Sequence, residues 1–197
     1  MAIDIEISEV GPRDGLQSIR SIMPTEAKKA WIRAQHEAGT PEIEVGSFVP
    51  AKLLPQLADT AEVVRYATTL PGLRVAALVP NRRGLEGAIA AGAHKVSMPF
   101  SMSETHSVRN VKKTHVQMRE EIVRCLELLA ETPAERRPAF EVGLATAFGC
   151  TIEGPIPEDR VIRTAAELID LGVAEVGLSD TTGMGNPRQL ERLATGI

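Results

Sequence analysis

RVAALVPNRRGLEGAIAAGAHKVSMPF (residues 74–100) reads as one complete strand–helix–strand unit. RVAALVP (74–80) is a near-continuous apolar run, the mark of a strand buried on both faces. A short helix follows from Arg83 to Ala91. Gly92 sits just past it, at the left-handed C-cap position where glycine costs least. HKVSMPF (94–100) is the next strand. Two buried strands joined by a helix pair in parallel.

The same unit recurs in both directions. Upstream, IDIEISEV (3–10) alternates apolar residues as a strand does, and a Gly-Pro loop leads to a helix from Thr25. Thr25 is placed to cap that helix, with Ala27, Ala30, Trp31 and Ala34 on one face. EIEVGSFV (42–49) is the second strand, and its helix carries Leu57, Ala61 and Val64. Downstream, Val108, Val111, His115, Met118, Ile122, Cys125 and Leu129 recur at three- and four-residue spacing and predict one long helix. AFEVGLATAF (139–148) is the fifth strand, followed by a helix from about Glu158 with Val161, Ile162, Ala165, Leu168 and Ile169. AEVGLSD (174–180) is the sixth strand, after which Asn186-Pro187 opens a sixth helix, Asn as cap and Pro in the first turn. Gly39 and Gly172 repeat the position of Gly92.

Composition agrees with this α/β reading. The 197 residues fit one domain, 43% are hydrophobic, and only 3% are aromatic. The core is therefore aliphatic, which suits parallel strands covered by Ala-rich helices. The net charge of −4 argues against a nucleic-acid partner, which calls for a basic face. No apolar run is long enough to span a membrane, and MAIDIEISEV lacks a charged-then-apolar signal pattern. Cys125 and Cys150 do not make a disulfide framework. These features together predict a cytoplasmic protein.

Six such units suit either an open doubly wound sheet or part of a closed barrel. The first strand–helix loop, GPRDGLQ (11–17), is not the GxGxxG that would hold a dinucleotide. Polar residues also follow many different strands: Arg13-Asp14, Ser47, Asn81, Ser101, Cys150 and Asp180. A barrel draws its active site from several strand ends, whereas an open sheet concentrates it at one switch point. The expected fold is a TIM (β/α)8 barrel, represented here by about six of its eight units in a single incomplete catalytic domain, 1–197.

On spacing alone, Pro-Arg-Asp-Gly is also a common turn with a solvated charge pair. Glu44 on the second strand and Asp180 at the end of the sixth strengthen the functional reading, since both would converge with Asp14 at a barrel mouth. Three carboxylates there would repel one another unless Arg13 or a cation neutralised them, and such oxygen ligands suit Mg2+ or Mn2+.

GPRDGLQ (11–17), EIEVGSFVP (42–50), TAFGC (146–150) and GLSDTTG (177–183) resemble the 3-hydroxy-3-methylglutaryl-CoA lyase family, from about Ile5 to Asn186. Leu16-Gln17 favours the lyase branch over related Claisen-type enzymes. The resemblance implies metal-dependent cleavage of 3-hydroxy-3-methylglutaryl-CoA to acetyl-CoA and acetoacetate, as in leucine degradation. Asp14 would be a ligand of the divalent metal, and Arg13 would stabilise the thioester oxygen as it becomes an enolate. Gln17, Glu44, Asn110 and Asp180, with Arg13, would line the acyl-substrate pocket. The partners implied are an acyl-CoA substrate and, for the full-length form, a second copy in a homodimer.

The resemblance also implies a metal-binding His-x-His pair after a seventh strand and a catalytic cysteine in a Gly-rich loop after an eighth. Neither occurs in this sequence. The chain thus reads as inactive alone, with its first and sixth strands as unpaired edges that predict self-association. His36, His94 and His115 read as structural, His106 lies near the mouth, Cys125 reads as core filler, and Cys150 lies at the mouth as part of the pocket lining. Lys52, Arg82, Arg83, Arg109, Lys112 and Lys113 fall in loops or early helix turns and are candidates for the phosphates of CoA, with a solvated rim as the equal alternative. The rival functions are a same-family lyase or Claisen-type acyltransferase on another acyl-CoA, and a truncated non-catalytic binding partner.

Overall fold

The computed structural model describes residues 5–197, so the start of the first expected strand, Ile3 and Asp4, lies outside the described residues. Within them the order is β1 (Ser8–Glu9), α1 (Thr25–Glu37), β2 (Glu42–Ser47), α2 (Thr60–Ala67), β3 (Arg74–Leu78), α3 (Arg82–Ala91), β4 (Lys95–Ser101), α4 (Glu104–Val111), α5 (His115–Glu131), β5 (Ala139–Ala145), α6 (Glu158–Asp170), β6 (Glu175–Leu178) and α7 (Pro187–Gly196). The six strands lie in one sheet in chain order. The pairings β1–β2, β2–β3, β3–β4 and β5–β6 are all parallel, as helical crossovers require.

The chain divides into two compact units. One holds the residues through Ser97 together with Thr132–Ala139, and the other holds Met98–Glu131 with Phe140–Ile197. In the first, Ile43, Val45, Val75 and Ala77 lie on the buried strand face, and Ile32, Val63 and Leu85 are among the buried helix residues. Their alternates Glu42, Glu44, Arg74, Lys95 and Ser97 carry polar groups, because successive strand residues point to opposite faces. Glu42 is neutralised there by Arg74 at 3.4 Å and Lys95 at 3.8 Å. In the second unit, Met98, Phe100, Val142 and Leu144 are buried, as are Met118 and Ile122 of α5 and Val161 and Leu168 of α6.

Cap chemistry follows the sequence closely. Asn81 accepts from Gly84 N–H and Asn186 from Gln189 N–H, both at 3.0 Å, and Pro187 opens α7. Gly92 ends α3 at φ 87°, in the left-handed region. Cys125 is fully buried in the core.

Four expectations are corrected. The first strand is only two described residues long, and Ile5 and Ile7 are exposed, because β1 is an end strand paired on one side. Thr25 does not cap α1. It is the first helical residue, and its hydroxyl donates to Asp59 at 2.8 Å. The buried face of α1 carries Lys28 and Ile32, while Ala27, Ala30 and Ala34 are exposed. Lys28 is drawn inward by Asp59 Oδ1 and Gln56 O, each at 2.5 Å.

The long helix expected through Val108 and Leu129 is two helices. The chain turns left-handed at Lys112 (φ 59°), and Ser107 Oγ donates across the break to Lys113 O at 2.7 Å. Thr114 and Gln117 then cap α5 reciprocally: Thr114 N–H donates to Gln117 Oε1 at 2.9 Å and Gln117 N–H to Thr114 Oγ1 at 3.3 Å. That Thr-x-x-Gln capping box was the signal for a new helix start, overridden by the hydrophobic spacing.

Candidate active site

The chain after β1 makes one wide helical turn over Gly11–Gly15, in which Leu16 N–H reaches back to Gly11 O. Such turns are rare and concentrate at functional sites. A Cβ on Gly11 would lie 2.9 Å from the Trp31 ring, so glycine is required for this turn to pack on α1. Arg13 and Asp14 sit in the turn, with Arg13 Nη1 donating to Asp14 Oδ1 at 2.7 Å. Arg13 Nε donates to Glu44 Oε2 at 2.5 Å. The side chains of Arg13 and Glu44 are only 17% and 6% exposed, whereas Asp14 is 57% exposed. Gln17 is half-buried just past the turn.

This geometry brings Arg13, Asp14 and Glu44 together, as the sequence suggested, but with a division of labour. Glu44 is an internal counter-charge for Arg13, and its other oxygen accepts from Ser97 Oγ at 2.5 Å. Asp14 Oδ2 and Arg13 Nη2 take no partner among the described residues.

In the second unit, Asp180 follows β6 and is exposed. It organises its own loop by accepting from Met184 N–H at 2.9 Å and Gly185 N–H at 3.0 Å. Asn110 is exposed near the end of α4. A hydroxyl cluster lies at the ends of β4 and β5. Ser101 Oγ and Thr146 Oγ1 are 3.1 Å apart, Ser103 N–H donates to both, and His106 Nδ1 is 3.0 Å from Ser101 Oγ. Thr146 takes φ 58°, a strained conformation for a β-branched residue, and its N–H donates to Thr181 Oγ1 at 2.8 Å.

Beside this cluster, Cys150 is fully buried. Burial pushes its thiol pKa up, but hydrogen bonds from the Ser103 side chain and from backbone N–H groups at Glu153 and Ile152 outweigh burial and hold it below the ordinary value. Glu153 is held low in the same way: burial opposes ionisation, and hydrogen bonds from Thr105 and Ser103 with the charge of Arg160 outweigh it.

A family model described as HMGL-like matches residues 4–197 of this sequence. The chain belongs to the HMGL-like family. It is 37% identical to hydroxymethylglutaryl-CoA lyase YngG of Bacillus subtilis over 187 residues, covering 95% of this chain and 61% of that protein. It is 36% identical to the mitochondrial hydroxymethylglutaryl-CoA lyase of Rattus norvegicus over 193 residues, 98% of this chain and 58% of the relative. The chain thus spans about three-fifths of the length of these two curated relatives. Among solved structures, an HMG-CoA lyase from Bacillus subtilis superposes with a TM-score of 0.89 at 35% identity, over 98% of this chain and 65% of that one. An HMG-CoA lyase from Acinetobacter baumannii, solved in complex with coenzyme A and 3-methylmalate, gives 0.89 at 33% identity, over 99% and 63%. The fold is that of these lyases, six βα units of a TIM (β/α)8 barrel.

Within this HMGL-like chain, no three His, Cys, Asp or Glu residues among the described ones group to hold a metal. Asp14 offers one free carboxylate oxygen, so the described residues supply a single candidate ligand rather than a full divalent-metal site. Three of the histidines serve the scaffold: His36 Nε2 lies 2.9 Å from Pro71 O, His94 Nδ1 accepts from Val75 N–H at 3.1 Å, and His115 Nε2 lies 2.8 Å from Ser101 O. No helix among the described residues is long and apolar enough to cross a membrane. Sequence reasoning missed Ser97, Ser103 and Thr146. Ser97 was detectable from strand alternation, which puts it on the polar face with Lys95.

Proposed function

We propose that the protein acts as a hydroxymethylglutaryl-CoA lyase, cleaving 3-hydroxy-3-methylglutaryl-CoA to acetyl-CoA and acetoacetate. The observation that carries the reading is Arg13 held between Glu44 and Asp14, with one Asp14 carboxylate oxygen unpartnered among the described residues, in a chain whose relatives bear that name. In the reaction a base takes the proton of the tertiary hydroxyl and the C–C bond breaks. Acetoacetate leaves, and the acetyl-CoA enolate takes a proton at carbon. Arg13 stabilises the thioester oxygen as negative charge develops there, an interaction strongest in the transition state. Glu44 keeps the guanidinium oriented without neutralising its free edge.

Asp14 would be this chain's ligand for Mg2+ or Mn2+, and such an ion would supply polarisation of substrate oxygens. The resemblance implies that the remaining ligands would be a His-x-His pair, which these 197 residues do not contain. Family resemblance supports an acyl-substrate role for each of Gln17, Asn110 and Asp180. Of the basic residues proposed for CoA phosphates, Arg82 is paired with Glu86 and Lys113 with Glu121, while Lys52, Arg83 and Arg109 have side chains without partners among the described residues. Those three are the stronger candidates, and the coenzyme A held by the Acinetobacter relative supports a CoA partner. The protein works in the cytoplasm as a homodimer. Cytoplasmic relatives support the location, and family resemblance alone supports the pairing.

The test has two parts. Sequencing past Ile197 should reveal His-x-His and a Gly-rich loop with Cys. The full-length protein, assayed against a panel of 3-hydroxyacyl-CoA thioesters, should release acetoacetate from the 3-hydroxy-3-methylglutaryl substrate and lose activity on metal chelation. Preference for another thioester, or condensation instead of cleavage, contradicts the lyase reading.

A further inference from the structure

Glu44 is buried with both carboxylate oxygens committed, Oε2 to Arg13 Nε and Oε1 to Ser97 Oγ, each at 2.5 Å. The donors arrive from different places. Arg13 comes from the turn after β1, and Ser97 from β4, two strands across the sheet from Glu44 on β2. The strand between is β3, where Ala76 pairs in register with Glu44. Its side chain is only a methyl, which leaves room for Glu44 to reach Ser97. The backbone of Ser97 is fixed as well, since Val79 N–H donates to its carbonyl at 2.8 Å.

A carboxylate gripped at one oxygen can rotate about its own torsions. Gripped at both, its plane is set, and so is the line along which it holds the guanidinium. Arg13 is fixed by Nε on Glu44 and Nη1 on Asp14, leaving Nη2 free among the described residues. We infer that Ser97 is a positioning residue for Arg13, acting through Glu44 by fixing the carboxylate plane that aims the guanidinium. The inference rests on the lyase reading, in which Arg13 meets the thioester oxygen. It adds a residue from a third strand, neither charged nor part of the Arg-Asp-Gly motif.

Positioning of a group that acts mainly in the transition state shows in kcat rather than KM, and small misplacements cost about 10- to 100-fold. In the full-length enzyme, S97A should lower kcat by about that factor with KM for the acyl-CoA nearly constant. S97T keeps the hydroxyl and suits a half-buried strand position, so it should restore kcat. S97V, with the same shape and no hydroxyl, should not. The S97T/S97V pair carries the test if S97A fails to fold, with thermal unfolding recorded for all three. In an E44Q background, S97A should add little further loss, because the two residues act as one unit. S97A or S97V at wild-type kcat overturns the inference, as does S97T impaired as much as S97V, or losses that multiply in the double variant. A wild-type enzyme that cleaves no acyl-CoA thioester contradicts the lyase reading itself. Cleavage by the wild type with full kcat in S97V contradicts only the role of Ser97.

Discussion

In the first compact unit a buried carboxylate, Glu44, is balanced by a cation and one hydroxyl. In the second, Thr146 is held by neutral groups: Ser101 Oγ, Ser103 N–H and Thr181 Oγ1. The two clusters fix their residues by different physics. A charge pair out of water depends on both members, because losing one strands the other. A hydroxyl cluster spreads its hydrogen bonds over several partners, so a single loss leaves one unsatisfied acceptor or donor. The charged cluster is thus suited to aiming a cation at a substrate. The neutral one suits holding a strained backbone, Thr146 at φ 58°.

This contrast sets an order of effects. E44A should be the most damaging, destabilising the fold by on the order of 3 kcal/mol in denaturant titration, since among the described residues Arg13 keeps only Asp14 as counter-charge. A loss no larger than that of T146V would break the contrast. T146V keeps shape and branching but removes the oxygen, and should cost about 1–3 kcal/mol by the same measurement. N81A removes the α3 cap, which belongs to neither cluster, and should cost about 1 kcal/mol.

The smallest effect concerns pH. Because the folded pKa of Glu153 lies below its unfolded value, its contribution to stability is present above the ordinary carboxylate range and is lost as pH falls through the lower folded value. E153Q should therefore flatten the acid side of a stability–pH profile and leave the neutral region nearly unchanged in slope. An acid limb identical to wild type would remove Glu153 from the second cluster's electrostatics.

The two clusters also differ in how far the sequence reveals them. Arg13, Asp14 and Glu44 stand out because charges beside buried strands demand explanation, and the strand–helix alternation places them correctly. The roles within the trio are not legible: nothing in EIEVGS says that Glu44 faces Arg13 rather than a ligand. Ser101 stands out only as one polar residue among several at strand ends, and Thr146 and Ser103 escape notice because Ser and Thr are common there and a positive φ at Thr146 has no signature in TAFGC. The α1 face differs from the expectation for a physical reason: the methyls of Ala27, Ala30 and Ala34 suggest a core stripe, while Lys28, paired with Asp59 31 residues away and so outside any local pattern, is buried instead.

The most direct test of the account is steady-state kinetics of the full-length protein on 3-hydroxy-3-methylglutaryl-CoA, wild type against R13M. If Arg13, aimed by Glu44, stabilises the enolate oxygen, R13M loses about 100- to 1,000-fold in kcat with a much smaller change in KM. An R13M enzyme that retains wild-type kcat would contradict the account at its centre.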